Sequence, residues 1–218
     1  MSEYKNLDDF DNYYSLKSFF DFFYDDMKLK GALNVFPGLE ELLRNYLTKL
    51  SQKSKEKDLG NYQFFRKIFN FPGSSYYIAE WNIQKTIALA KNNIKKKDFP
   101  INILLNFNTA HQEKLGKKSN LNLDEPIVIV YYPPNQEVII IDGNHRFYKA
   151  VEMGLKSISA YILYPNSFLE TMSNDLCQAL YKMHNNINVM ANVVAGNLKM
   201  NENPQKVGLD RFFEMDEI

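Results

Sequence analysis

Ile139-Ile-Ile-Asp-Gly-Asn-His-Arg-Phe-Tyr-Lys-Ala150 is the stretch on which the reading of this chain turns. Three consecutive β-branched isoleucines read as a buried strand. Asp142 marks the point where that strand leaves the core, and Gly143 permits a close turn that a side chain would obstruct. From His145 to Met153 the apolar Phe147, Ala150 and Val151 fall on one helical face, and Gly154 stands where a left-handed C-terminal cap belongs. A strand therefore runs into a short helix. The first-turn N–H groups of a helix have no intrahelical partners, and the positive end of its dipole lies there, so the junction is a ready anion site.

Two side chains sharpen that expectation. Arg146 offers a planar donor fork suited to phosphate, and His145 a second donor whose charge changes near physiological pH. Asp142 is the candidate to orient a metal ion or a nucleophile. A purely structural arrangement uses the same residues: Asp142 caps the helix, Arg146 pairs with Asp142, and His145 packs against an aromatic ring. Local chemistry leaves both open.

Working outward, Pro126-Ile-Val-Ile-Val-Tyr-Tyr132 and Glu137-Val-Ile-Ile-Ile141 are dense in β-branched residues and joined by Pro-Pro-Asn-Gln, which predicts an antiparallel hairpin. Ser157-Ile-Ser-Ala-Tyr-Ile-Leu163 alternates as a half-buried strand. Ser75 to Ile83 reads as a strand and Gln84 to Asn93 as a helix. Ile101 to Phe107 is strand or buried helix, which periodicity cannot separate in so short a run. His111 to Asn122 reads as an exposed loop. Phe168 to Met183 is expected to be a helix, Asn185 to Asn188 a loop after it, and the residues around Asn201 to Gln205 part of a loosely docked tail.

Towards the N-terminus, Leu7, Phe10, Tyr13, Tyr14, Leu16, Phe19, Phe20 and Phe23 recur at helical spacing, predicting a helix from Leu7 to about Tyr24. Leu39 to Leu50 is an amphipathic helix with acids early and bases late, as the dipole favours. Ser51 to Asp58 is a solvated polar run. Asn61 to Phe71 reads as one more aromatic-rich helix, ended by Phe71-Pro-Gly-Ser-Ser75, the candidate domain boundary. The organisation expected is a helical N-terminal region at 1–74, an α/β core at 75–166, and a C-terminal helix and tail at 167–218 packed on the core. The fold class is α+β, a small mixed sheet with helices.

Composition bounds the function. With 218 residues the chain can bury a full core, and 45% hydrophobic with 24% charged is an ordinary globular balance. Basic and acidic residues are equal at 26 each, so no global field draws the chain to DNA or an anionic membrane. Cys177 is the single cysteine, which precludes an internal disulfide, and Met-Ser-Glu-Tyr-Lys carries no apolar stretch of the secretory kind. A cytoplasmic location is expected. No run approaches the ~18 apolar residues of a membrane span.

The order of strand, turn, strand, Asp-Gly-Asn-His-Arg-Phe-Tyr-Lys-Ala, Glu-Met-Gly-Leu and strand over Pro126 to Leu163 resembles the ParB/sulfiredoxin superfamily, whose usual form is Gly-x-His-Arg or Gly-x-Arg-Arg followed by Ala and then Gly. The likeness reaches back to Tyr76 if the strand and helix ending at Asn93 are included. The resemblance implies a ParB/sulfiredoxin-like core with nucleotide binding at Gly143, Asn144, His145 and Arg146, ATP or CTP as ligand or substrate, and Mg²⁺ as cofactor. Its members include DNA clamps, sulfinic-acid reductases, serine kinases and nucleases, so fold does not decide function. Gly143, His145 and Arg146 resemble the sulfiredoxin phosphate triplet, but Asn144 stands where that branch has its catalytic cysteine, which removes sulfinic-acid reduction. Asp142 resembles the acid preceding the glycine in the kinase branch, and with His145 is the catalytic candidate and, alone, the metal ligand. Downstream of Leu163 there is no helix-turn-helix of the partitioning kind.

The function expected is nucleotide- or nucleic-acid-phosphate binding, with Mg-dependent hydrolysis or phosphotransfer. The alternatives are a non-catalytic sensor whose N-terminal helices bind a protein partner or self-associate, and a nuclease. Glu80 and Lys85 flank the end of the first core strand and are weaker candidates; a surface charge is the simpler account of each. Trp81 is a core ring or a base-stacking one. His111 and His184 have no ligand set at zinc spacing, Cys177 reads as a buried small hydrophobe, and Lys95-Lys-Lys97 as a solvated helix end.

Overall fold

The computed structural model describes residues 13–53, 62–107 and 121–218. In chain order its regular elements are β1 (Tyr13–Tyr14), α1 (Leu16–Leu29), α2 (Leu39–Gln52), β2 (Phe64–Asn70), β3 (Tyr76–Asn82), α3 (Ile83–Asn93), β4 (Lys97–Pro100), α4 (Ile101–Phe107), β5 (Ile127–Tyr132), β6 (Glu137–Asp142), α5 (Asn144–Glu152), β7 (Ser157–Leu163), α6 (Pro165–Phe168) and α7 (Asp175–Val194). The fold is α+β: the described strands form one sheet in the order β1-β3-β2 and another in the order β4-β7-β5-β6. The chain divides into two compact units, Met1–Asp58 with Arg66–Glu80 and Ser173–Ile218, and Leu59–Phe65 with Trp81–Met172.

The second unit holds the four-stranded sheet. β5 and β6 form the expected antiparallel hairpin, β7 runs parallel to β5, and β4 is antiparallel to β7, so the sheet is mixed. Ile127 and Ile129 of β5, with Val138 and Ile140 of β6, pack against Leu104 of α4 and Phe147 and Ala150 of α5. Alternation along β5 sends Tyr132 to the opposite face, where its ring meets Trp81 edge-on at 6.2 Å and stacks on Phe168 at 6.3 Å. Both faces are covered, which is why the isoleucines run without polar alternation. Ile101 to Phe107, undecided by periodicity, is a helix whose Ile101 and Leu104, three apart, are the buried pair.

In the first unit, α1 buries Leu16, Phe19, Phe20, Phe23 and Met27, while α2 buries Leu39, Leu43, Tyr46 and Leu50, both at helical spacing. The first helix begins later than its apolar pattern predicts. Tyr13 and Tyr14 are drawn into pairing with Tyr77 and Tyr76, and Ser15 turns the chain at φ 53°. Leu7 and Phe10 lie outside the described residues, as do 54–58 of the polar run and 111–120 of the expected loop.

Three further sequence expectations are corrected. Asn61 to Phe71 is not a helix, because Phe64–Asn70 is strand β2 beside β3, and Pro72-Gly73 lies in the short link between them. Aromatic residues at mixed spacing fit either element, and a strand partner remote from the local pattern decided it. The second correction is α7, which starts at Asp175 because Asn174 accepts the Cys177 N–H at 2.8 Å, and runs on through Asn185-Asn-Ile-Asn188 to Val194. The chain beyond the polar turn at Pro204–Val207 is not loosely docked: Leu209, Phe213 and Ile218 are buried. Among the described residues no helix is long and apolar enough to cross a membrane.

Candidate functional site

β6 does not pass smoothly into the turn. Ile129 pairs with Ile140, but the next pair is Val128 with Asp142, so Ile141 is an extra residue and the ladder bulges just before the motif. A bulge sharpens local twist and re-aims the next side chain. Gly143 then adopts φ 94°, and a Cβ there would stand 2.5 Å from Ile127 Cγ2 and 2.9 Å from the Arg146 guanidinium. Glycine is required on both grounds, conformation and space.

Helix α5 follows at Asn144, and its first intrahelical bond runs from Phe147 N–H to Gly143 O at 2.9 Å. The N–H groups of Asn144, His145 and Arg146 therefore have no carbonyl partner in a preceding turn, and no side chain caps this end. Of the structural alternative, the Asp142 cap is not formed but the ion pair is.

Arg146 folds back over Gly143. It donates through Nη2 to Asp142 Oδ2 at 2.8 Å and through Nη1 to Glu125 Oε2 at 2.7 Å, with its side chain 13% exposed. A weaker contact reaches Pro126 O at 3.4 Å, and Nε is buried with no partner among the described residues. Glu125 also lies 3.6 Å from Lys91 Nζ. The cluster thus holds two acids and two bases and is close to neutral. Asn144 Nδ2 reaches back to Ile140 O at 3.4 Å, while His145 is half-buried with no hydrogen bond or ion pair among the described residues.

Sequence reasoning named five of the residues gathered here, Asp142, Gly143, Asn144, His145 and Arg146, and missed Glu125 and Lys91. Nothing in the sequence ties an acid just before β5, or a lysine on α3, to Arg146. The pairing of β5 with β6 and the packing of α3 on that sheet bring them together.

The other candidates are placed elsewhere. Glu80 is buried in the first unit, ion-paired with Arg66 and accepting from Ser173 Oγ at 3.0 Å. Lys85 is exposed near the start of α3, its backbone N–H bound by the Asn82 cap and its Nζ 5.9 Å from the Tyr62 ring. Trp81 is a fully buried core ring, with Nε1 unbonded among the described residues. Cys177 is buried on α7, and His184 is buried there with Nδ1 2.7 Å from the Tyr77 hydroxyl, burial lowering its pKa to about 3. His111 lies outside the described residues.

Set beside protein-family models, curated proteins and solved structures, the chain matches none.

Proposed function

We propose that this chain is a cytoplasmic nucleotide-phosphate-binding protein of the ParB/sulfiredoxin-like class, taking the phosphate on the first turn of α5. The observation that supports this most is the turn itself: a bulged strand, a glycine at φ 94°, and three first-turn N–H groups with no cap. The order of hairpin, helix and parallel strand over Ile127–Leu163 also suits that class.

Gly143 and Asn144 offer backbone, and His145 donates a hydrogen bond. Arg146 reaches the phosphate by exchanging Glu125, the more exposed of its carboxylates at 44% against 36% for Asp142. Asp142, the residue expected to hold magnesium, accepts from Arg146 Nη2 at 2.8 Å. Asp142 and Glu125 share one guanidinium, and no group of three or more acids, histidines or cysteines gathers among the described residues. A magnesium ion would be held chiefly by phosphate oxygens. The same pairing favours the sensor over the hydrolase, since Asp142, the expected catalytic acid, already has one oxygen on Arg146.

Calorimetry and thermal shift on the full chain with ATP, CTP, ADP and pyrophosphate test the proposal. A ligand that binds only the folded state raises the melting temperature, and Arg146→Ala or His145→Ala should each weaken binding about tenfold or more. Failure of all four to bind ends it. Phosphate release that depends on Mg²⁺ and on His145 would restore catalysis, and nicking of plasmid DNA would restore the nuclease.

A further inference from the structure

The basic run Lys95-Lys96-Lys97 stands beyond the end of α3 at Asn93 and leads into β4, and all three lysines are exposed. Neither Lys96 nor Lys97 makes a side-chain hydrogen bond or ion pair among the described residues. An exposed lysine is ordinarily no more than a solubilising charge, so what matters is where the sheet puts these two.

Strand register fixes that place. Lys97 pairs with Ala160 of β7, Ala160 pairs with Ile127 of β5, and the neighbouring Val128 pairs with Asp142 at the end of β6. One row therefore crosses the sheet from Lys97 to the strand end where the Gly143 turn begins. Three steps of about 4.8 Å separate the ends of that row by about 14 Å. Ala160, Ile127 and Phe99 all belong to the hydrophobic cluster that includes Phe147 and Ala150 of α5, so alternation from Phe99 puts Lys97 on the face that carries α5. Ile127, in the same row, is the side chain that stands 2.5 Å from where a Cβ on Gly143 would be.

Lys96 and Lys97 also line an open cleft of about 630 Å³ with Asp98, Leu123, Asp124 and Ser159. Its wall runs on into the junction, because the residue after Asp124 is Glu125, which accepts from Arg146 Nη1 at 2.7 Å. With two aspartates beside two lysines, the cleft has no strong field of its own for small anions. What it adds is a pair of ammonium groups at a set distance from the turn.

We infer, building on the phosphate reading of the Gly143 turn, that the ligand of that turn is a single-stranded oligonucleotide, with one phosphate on α5 and another, about four nucleotides along, on Lys96 and Lys97. The spacing selects it. A stacked strand advances about 3.4 Å per nucleotide, so four cover about 14 Å, whereas the phosphate chain of one nucleotide is too short to meet both ends. Contacts made to phosphate alone carry no base preference.

The test is fluorescence anisotropy of the full chain with labelled oligothymidylates of two, six and twelve nucleotides, beside calorimetry with pyrophosphate. The hexamer should bind about tenfold tighter than the dimer, and the twelvemer little tighter than the hexamer. The double substitution Lys96→Ala with Lys97→Ala should remove that advantage and lower the slope of log K against log salt by about 1.4, at ~0.7 per phosphate contact, leaving pyrophosphate binding unchanged. Asp124→Asn, which takes a negative charge out of the cleft, should strengthen hexamer binding a few fold. All three side chains are exposed, and an unchanged melting temperature verifies that the fold is intact. Pyrophosphate binding with no gain from dimer to hexamer, or a gain that survives loss of both lysines, overturns the oligonucleotide as ligand and leaves the turn standing. Failure of pyrophosphate and hexamer alike overturns the phosphate reading and this inference with it.

Discussion

The junction at Asp142–Arg146 and the stretch His184–Asn186 are both polar groups set against a hydrophobic interior, and they are satisfied in opposite ways. At the junction the partners are near in sequence or near the surface: Asp142 is one helical turn from Arg146, and Glu125 is 44% exposed. On α7 the partners are Tyr77, Tyr46 and Phe213, and each lies on another segment of its unit. The first region is held by charges that can exchange partners; the second is held by neutral groups that cannot find water. The first can change partners without unfolding, and the second fixes the fold.

The largest effect should come from acid acting on the interior stretch through His184. His184 in the fold has its pKa lowered by burial to about 3, against 6.5 in the unfolded chain. The unfolded state therefore binds the extra proton first as pH falls. Stability should be unaffected by this group above the unfolded value and should drop between 6.5 and about 3, by about 1.4 kcal/mol per pH unit at most. Urea midpoints across that range check it, and His184→Gln should flatten the profile if the histidine is responsible.

Next in size is Asn186→Ala, which leaves the Phe213 N–H and C=O and the Tyr46 hydroxyl without their partner. We expect a loss of about 3 kcal/mol, read as a lower urea midpoint. At the junction, Gly143→Ala should cost about 2 kcal/mol, because a Cβ both collides with Ile127 and forces a side chain into the left-handed region. A Gly143→Ala chain as stable as the parent would remove the geometric argument for the turn. Smallest is Arg146→Ala, expected to cost about 1 kcal/mol in stability because both its acids are partly exposed and are rehydrated when it goes. A much larger loss would mean that the junction is as structural as the interior stretch, and the contrast would fail.

Legibility in the sequence follows the same division. The hairpin, the helix from Asn144 and the strand Ser157–Leu163 were readable because each rests on local chemistry: β-branched runs, a turn glycine, a helical face and a cap at Gly154. At the candidate site, the glycine turn and the Asp142–Arg146 pair were readable for the same reason. Glu125 was not, since its approach to Arg146 depends on how β5 lies beside β6. Asn185 to Asn188 was misread because asparagine ordinarily marks loops. Its local preference was overridden by backbone groups 25 and 27 residues further along. Phe64 to Asn70 was misread because aromatic spacing does not say what will lie alongside.

By itself, then, the sequence determined the α+β class, the strand-to-helix turn at Gly143, and a helix beginning just after it, all of which follow from backbone sterics and residues within a few positions of each other. Tertiary structure alone decided that Arg146 is shared between two carboxylates, that Glu80 is buried against Arg66, and that a polar run on α7 lies in the interior, bonded to the backbone of Arg211 and Phe213. The reason is physical. A charge or amide reveals what it can bond, but the partner it receives is chosen by packing, which brings together residues with no local relation.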